Sequence, residues 1–252
     1  MTGVAWYDTS GKGWLRDILV LLHLPYTGWH LSYVVIGAAM ALRLDWGVLG
    51  WTVLAFFLAL GIGGHSLDEL NGRPLRTTRP AWQLWLAAAL SIAGAVAIGV
   101  FIGLKETIWI LPCIIFGGFI VFAYNLELGP KRFFHRDEWF GVAWGAFPAI
   151  TAYLAQAYTI SPEIVFVAGA CLLYSMAQRK LSTQARFWRR KVESMDGYYY
   201  LVGDGPVVPH TLGYGTRYKI TRRAIIGPAE LGLKLMTWTV TLAAIGLVLT
   251  HI

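Results

Sequence analysis

Two polar stretches in a mostly apolar chain carry residue types that can do chemistry. The first is Gly63-Gly-His-Ser-Leu-Asp-Glu-Leu-Asn-Gly-Arg-Pro-Leu-Arg-Thr-Thr-Arg-Pro80. If the preceding helix runs on, His65, Asp68 and Glu69 stand at i, i+3 and i+4 and share a face, with Asn71 or Gly72 one turn beyond Asp68. Carboxylates and an amide at the mouth of a bundle suit a hard cation such as Mg²⁺, held together with a phosphate. Arg73, Arg76 and Arg79 follow at intervals of three and suit phosphate oxygens. The plainer reading is a helix end with interfacial anchors and snorkelling arginines.

The second stretch, Tyr124 to Glu138, offers Asn125, Glu127, Lys131, Arg132, His135, Asp137 and Glu138. Here the plainer reading is a solvated loop, with Asp137 and Glu138 complementing the dipole of the next helix. His23 and His30 lie seven apart on one face of the first apolar segment, a spacing open to a metal or haem pair but more often met in packing. No His-x-x-x-His pair, CxxCH, GxSxG, HExxH or P-loop is present, which removes several metal, haem, hydrolase and nucleotide chemistries. Gly61-Ile-Gly-Gly64 ends an apolar helix and follows no strand, so it reads as close helix packing.

The elements that must position these residues are membrane helices. Hydrophobic residues make up 56% of the 252 and charged ones 14%, against roughly a quarter charged in a soluble domain. So few charges cannot cover a water-facing surface, and lipid is the implied solvent. Seven segments approach the roughly 20 apolar residues needed to cross a bilayer: about 18–42, 47–64, 82–104, 108–124, 139–158, 162–178 and 229–250. The weakest is 162–178, with Glu163 at its edge. Backbone groups in lipid must pair within their own segment, and barrel-type alternation is absent, so the runs are helices. The expected fold is an all-α polytopic membrane bundle forming one domain over 1–252, with 179–228 as a cytoplasmic insertion. No cleavable leader is apparent, because the first apolar segment is too long for one. Cys113 and Cys171 sit in apolar runs and argue against a disulfide framework.

Charge sets the expected orientation. Of 21 basic residues, all but Arg43, Lys105 and Lys234 fall in 1–17, 65–81, 125–138 and 179–228, the segments on one side of a seven-helix chain. By the positive-inside rule the N-terminus is cytoplasmic and the C-terminus outside, in a plasma (inner) membrane. The net charge of +7 then reads as topology and attraction to anionic lipid, and nucleic acid is the poorer partner. Within 179–228, Ser182 to Val192 reads as a basic amphipathic helix lying on the membrane. Tyr198 to Val208 reads as a short hairpin around Gly203-Asp204-Gly205.

The order and placement of these motifs resemble the UbiA superfamily of intramembrane prenyltransferases, over roughly residues 18–158. Leu22-His-Leu-Pro25 is similar to the family's opening segment. His65-Ser-Leu-Asp68-Glu-Leu-Asn-Gly72, followed by Arg73-Pro-Leu75, is similar to its first Asp-rich motif. Tyr124 with Lys131-Arg132, standing in a longer loop, resembles the family's Tyr-x-x-x-Lys loop after the fourth helix. His65 and Gly72 stand where the family has Asp, and Gln178 to Arg186 holds no carboxylate where a second Asp-rich motif is expected. The family has nine helices, against seven here.

The resemblance implies transfer of an isoprenoid chain from a prenyl diphosphate to a lipophilic acceptor. Asp68, Glu69 and Asn71 would act at the catalytic centre, and Arg73, Arg76, Tyr124, Lys131 and Arg132 would bind substrate. Mg²⁺ would be held by His65, Asp68 and Glu69, with Asp137 and Glu138 standing in for the missing motif. The alternative is a non-catalytic relative that binds a lipid, quinone or pigment, or serves as a subunit of a larger membrane complex. A third reading is a His and carboxylate metal site of His65, Asp68, Glu69 and His135.

Overall fold

A computed structural model describes residues 13–200 and 217–252. The chain is almost wholly helical. We number the helices α1 (Trp14–Leu22), α2 (Leu24–Ala39), α3 (Trp46–Leu70), α4 (Ala81–Lys105), α5 (Ile108–Asn125), α6 (137–157), α7 (Pro162–Arg190) and α8 (Arg222–Leu249). Six stretches are long and apolar enough to cross a membrane: α1 with α2 as one, then α3, α4, α5, α7 and α8. Leu90, Phe166, Leu173 and Leu242 are all more than 60% exposed on them, as lipid-facing side chains should be. The protein is an integral membrane protein of the all-α polytopic class.

The expected span at 139–158 is also helical, but it is not one of the six. Trp139, Gly141, Trp144, Gly145, Pro148 and Gln156 dilute its hydropathy. The physical reason is position. Ala143, Ala149, Ala152 and Ala155 of α6 are at most 1% exposed, so protein surrounds this helix and it needs little lipid-facing surface. Small residues let α2 approach it closely. A Cβ at Gly37 would collide with the Ala149 carbonyl, so glycine is required there. The segment expected to be weakest, 162–178, instead lies in the longest helix, α7.

Two further expectations are corrected in the same region. Ser182 to Arg190 does not form a separate helix on the membrane. It continues α7, with Ser182 and Ala185 buried, because nothing between Pro162 and Arg190 breaks the helix. Tyr198–Tyr200 does form a strand, but it pairs antiparallel with Arg217–Lys219, Tyr198 opposite Lys219. A tight hairpin centred on Gly203-Asp204-Gly205 would pair it with residues near 208; the turn itself lies outside the described residues.

The first apolar segment, expected to run unbroken, is two helices meeting at His23, which has a left-handed φ of 45°. Pro25 explains the break, since it has no N–H to give the preceding turn and its ring crowds that turn. The Thr27 hydroxyl donates to the Leu22 carbonyl at 2.6 Å and satisfies one of the groups left over.

Hydrogen bonds define the two ends of the bundle. At one end Asp17 of α1 accepts from Thr78, Asn71 donates to the Asn125 carbonyl, and Asp137 meets Arg179. At the other, Asp45 meets Gln156, Tyr158 donates to Glu106, and His251 meets the Ala39 carbonyl. Residues 16–17 and 251 therefore lie at opposite ends. Both cysteines are free.

Candidate functional site

Five helix segments converge at the end that holds Asp17. α3 reaches it through a π-helical stretch, Phe57–Gly64, before its last turns, His65–Leu70. Wide π turns often mark functional sites. The glycines there make room for neighbours: a Cβ at Gly63 would meet Ile92, and one at Gly64 would press on Asn125. This matches the packing role read from Gly61 to Gly64. α5 delivers Tyr124 and Asn125 at its C-terminus, α6 brings Phe140 and Trp144, and the α1–α2 break brings His23 and His30. The second half of α7 closes the ring with Gln178, Arg179, Ser182 and Arg186.

Together these segments enclose a cavity of about 480 Å³. A smaller cavity of about 90 Å³ lies further into the bundle, lined by Ala55, Phe56, Ala59, Gly117, Val121 and Phe147 among others, nearly all apolar. The two adjoin along α3 and α5: Ala59 lines one and Leu60 the other, and Val121 is one turn from Asn125, whose amide donates to the Val121 carbonyl at 2.7 Å. A polar chamber at the bundle end therefore sits beside a dry one.

The polar chamber is organised by backbone carbonyls. His30 Nδ1 lies 2.8 Å from the Trp144 carbonyl, His65 Nδ1 3.2 Å from that of Gly61, and His135 Nδ1 2.9 Å from that of Tyr124. A carbonyl only accepts, so each of these Nδ1 atoms carries the proton. In a neutral ring the Nε2 is then left as an acceptor; that of His135 stands 3.7 Å from Glu127 Oε1. Burial lowers the pKa of His135, against the opposing pull of the Tyr124 carbonyl, so the neutral ring is its normal state.

Arg179 is fixed on three sides. Its Nε is 2.9 Å from Asp137 Oδ1, and its guanidinium carbon lies 5.5 Å from the Tyr124 ring centre and 5.1 Å from that of Phe140. Burial pushes the Asp137 carboxyl up, but hydrogen bonds from Lys180 and Arg179 and their charges outweigh this and hold it below the ordinary carboxylate range. Asp68 is largely buried and lies in the opposing fields of Arg186 and Arg179 and of Glu69 and Glu127, and its carboxylate accepts no hydrogen bond among the described residues. Tyr124 and Gln178 line the cavity, and the buried Tyr124 hydroxyl and Gln178 Oε1 meet no hydrogen-bond partner among the described residues.

Of the residues picked out in the sequence, His65, Asp68, Tyr124, Asn125 and His135 line this cavity. The others are placed elsewhere. Glu69 is fully buried but does not face the cavity with Asp68. Its oxygens accept from Leu75 N at 2.9 Å and from the Thr77 N–H and hydroxyl, each at 2.8 Å. The expected shared face of His65, Asp68 and Glu69 is split because residues 71–80 fold back over the helix end.

The remaining polar residues of both stretches are spent locally. Asn71 donates to the Asn125 carbonyl, Arg73 donates to the Arg79 carbonyl at 2.6 Å, and Arg76 is exposed. Lys131 and Arg132 are exposed with positive φ, and Arg132 pairs with Glu127 at 2.8 Å. Asp137 is held by Arg179 and Lys180, and Glu138 pairs with Arg136 at the surface.

The residues that sequence reading passed over are Gln178, Arg179 and Arg186, with His23 and His30 discounted. A signal existed: Gln178, Ser182 and Arg186 recur every four residues, a polar stripe continuing the apolar helix.

The donor set can be tested against Mg²⁺. Among the described residues, no group of three or more His, Cys, Asp or Glu side chains is arranged to hold a metal ion. Among the described residues Asp68 is the one carboxylate lining the cavity, so the described residues do not by themselves assemble the two-motif magnesium site that the resemblance implies, nor the His65, Asp68, Glu69 and His135 site. Positive charge in the chamber comes from arginine instead. Scans against family models, curated proteins and solved structures return no match.

Proposed function

We propose that this chain is a UbiA-like intramembrane prenyltransferase. It moves an isoprenoid chain from a prenyl diphosphate to a lipophilic acceptor, in a plasma (inner) membrane with its N-terminus cytoplasmic and its C-terminus outside. The observation that carries the reading is the open Asp68 carboxylate facing Arg179 and Arg186 across a polar cavity that adjoins a dry one. An amphiphile with an anionic head and a hydrocarbon tail needs both chambers. Arginine is the residue best shaped for phosphate oxygens. Tyr124, Phe140 and Trp144 bring aromatic faces to the same chamber, where they would shelter positive charge building on an allylic carbon.

In the transfer, the allylic carbon–oxygen bond breaks and the diphosphate leaves with the electron pair against the arginines. The acceptor's nucleophilic atom bonds to the allylic carbon, and its proton passes to the basic lining of the cavity. No step is routed through a metal.

The test uses the purified protein in lipid nanodiscs with labelled prenyl diphosphates of several lengths. The expected result is binding that Arg186→Gln weakens about tenfold or more, and label appearing in a lipophilic product when acceptor extracts are added. Asp68→Asn should lower that product yield. Absence of binding for every length would sink the reading.

One observation favours a second reading, a non-catalytic relative that binds a lipid, quinone or pigment, or a subunit of a larger complex: a single carboxylate remains open in the chamber. Co-purified pigment or quinone, with no diphosphate binding, would select it.

A further inference from the structure

The cations at the Asp17 end of the bundle fall into two sets. Many are neutralised on the spot: Arg16 and Arg79 by Asp17, Arg132 by Glu127, Arg136 by Glu138, and Arg179 and Lys180 by Asp137. The second set gathers where α7 ends and α8 begins. Arg190, Lys191, Lys219, Arg222 and Arg223 form no ion pair with a carboxylate among the described residues. Ile220 N donates to the Gly197 carbonyl at 3.0 Å, Arg222 donates to the Glu193 carbonyl at 3.4 Å, and Arg189 pairs with Glu230 at 3.3 Å, so the two segments lie together. Glu230 is engaged by Arg189, and the exposed Glu193 and Asp196 pair with none of the cations. Arg222 and Arg223 also stand in the first turn of α8, which holds no acidic residue and where the helix dipole disfavours cations. Their position does not serve the helix.

Lys234 extends this patch into the bilayer. It follows Arg223 by about three turns and so lies on nearly the same face of α8. It is exposed and forms no ion pair among the described residues, while Leu231 and Leu235 beside it are each 57% exposed. An ammonium on a lipid-facing helix is costly unless its stem reaches an anion at the interface. Orientation by positive charge asks only that cations lie on one side. It does not ask for an unpaired lysine within the span.

We infer that the α7–α8 junction binds a phospholipid with a net negative head group. The phosphate is drawn to Arg223 and Lys234, with Arg190, Lys191 and Lys219 adding to the field, and the chains lie along the exposed apolar side of α8. A zwitterionic head group brings as much positive charge as negative and gains little there. A soluble phosphate has no tails to hold it beside a lysine within the span, so the ligand is a lipid. Arg223 and Lys234 do not line the polar chamber, and the site stands apart from the transfer reading.

The experiment is native mass spectrometry of the full chain, delipidated in neutral detergent and titrated with dioleoylphosphatidylglycerol or, with the same tails, dioleoylphosphatidylcholine. Phosphatidylglycerol should bind about tenfold or more tighter, given roughly fivefold per basic residue facing an anionic head group. Arg223→Gln combined with Lys234→Leu should erase most of that preference and leave the phosphatidylcholine affinity unchanged. Arg76→Gln combined with Lys131→Gln removes the same charge from two exposed positions at the same end and should keep the preference. Lys234→Leu alone guards against misfolding. It takes a charge off a lipid-facing helix, so its thermal midpoint in phosphatidylcholine nanodiscs should equal or exceed the parent's.

Equal affinity of the parent for the two lipids would overturn the inference. So would a preference that both double variants lose alike, which is what diffuse surface charge produces. Displacement of the lipid by soluble glycerol phosphate at equal concentration would also overturn it, because the ligand would then be a free phosphate.

Discussion

The two polar loops at the cavity end look alike in sequence and are built on opposite principles. Residues 71–80 and 126–136 both mix arginines with neighbouring carboxylates, and both hold non-glycine residues at positive φ: Arg73 and Arg76 in one, Glu127, Lys131 and Arg132 in the other. In the first loop, fully or nearly fully buried carboxylates hold the backbone. Glu69 takes the Leu75 and Thr77 N–H groups, and Asp17, 2% exposed, takes the Thr78 N–H and hydroxyl and the Arg79 guanidinium. In the second loop the pairs made by carboxylates lie at the surface. Arg132 is 71% exposed in its pair with Glu127, and Glu138 is 62% exposed beside Arg136. A buried carboxylate that gathers main-chain donors fixes a loop. An exposed pair leaves it to its packing.

The strongest test of this contrast is Glu69→Gln. The substitution keeps shape and removes charge, and it must turn an NH₂ toward either the Leu75 or the Thr77 donors. The remaining bonds lose their charge assistance. The expected cost is about 2–3 kcal/mol from one unmet buried donor and weakened partners, or roughly 5–10 °C in the unfolding midpoint for a chain of this size. A midpoint within a degree or two of the parent would mean that Glu69 does not hold the loop. It would also reopen Glu69 as a cavity residue.

The same contrast explains what sequence could and could not show. Helices were legible because lipid demands long apolar runs, and the class of fold followed from that demand. α6 was legible as a helix but not as the buried one, since Ala and Gly spacing reports close packing only once its neighbours are known. The i, i+3, i+4 spacing put His65, Asp68 and Glu69 near one another. It could not say that residues 71–80 would fold back and claim Glu69. Asp137 was a plausible metal ligand until Arg179 arrived from forty-two residues away. The break at His23 was written in Pro25, but an otherwise apolar run masked it. The stripe of Gln178, Ser182 and Arg186 was visible, yet its high charge made it look like a surface helix. Proximity between distant segments is what sequence spacing lacks.

A pH change should loosen the second loop and spare the first. His135 packs beside Tyr124 and Arg179, with its ring 4.6 Å from that of Tyr124. Burial and the nearby guanidinium disfavour its charged form, although the Tyr124 carbonyl and Glu127 pull the other way. A histidine with a lowered folded pKa binds fewer protons folded than unfolded. Its stabilising share is therefore present above the ordinary value of about 6.5 and lost as pH falls through the folded value. Between pH 7 and pH 5, amide protection relative to the intrinsic exchange rate should fall in 126–136, or proteolysis there quicken, while 71–80 stays unchanged. His135→Gln should flatten the response. Equal acid sensitivity in both loops would break the comparison at this point.

The smallest effect is expected for Glu127→Gln. The Glu127 to Arg132 contact is short, 2.8 Å, and would rank among the best bonds of either loop by distance alone. Distance is a poor guide here, because the arginine is mostly in water. Holding two long side chains together costs entropy, and solvent and salt screen the gain, so exposed pairs are worth about 0.2–1 kcal/mol. Glu127 also lies beside His135, with 3.7 Å between Oε1 and Nε2, so removing its charge should slightly sharpen the acid response of the loop at unchanged neutral stability. The measurement is a pair of unfolding curves at pH 7 and pH 5. A neutral-pH loss comparable to that of Glu69→Gln would show that both loops are held by their carboxylates, and burial would no longer be what separates them.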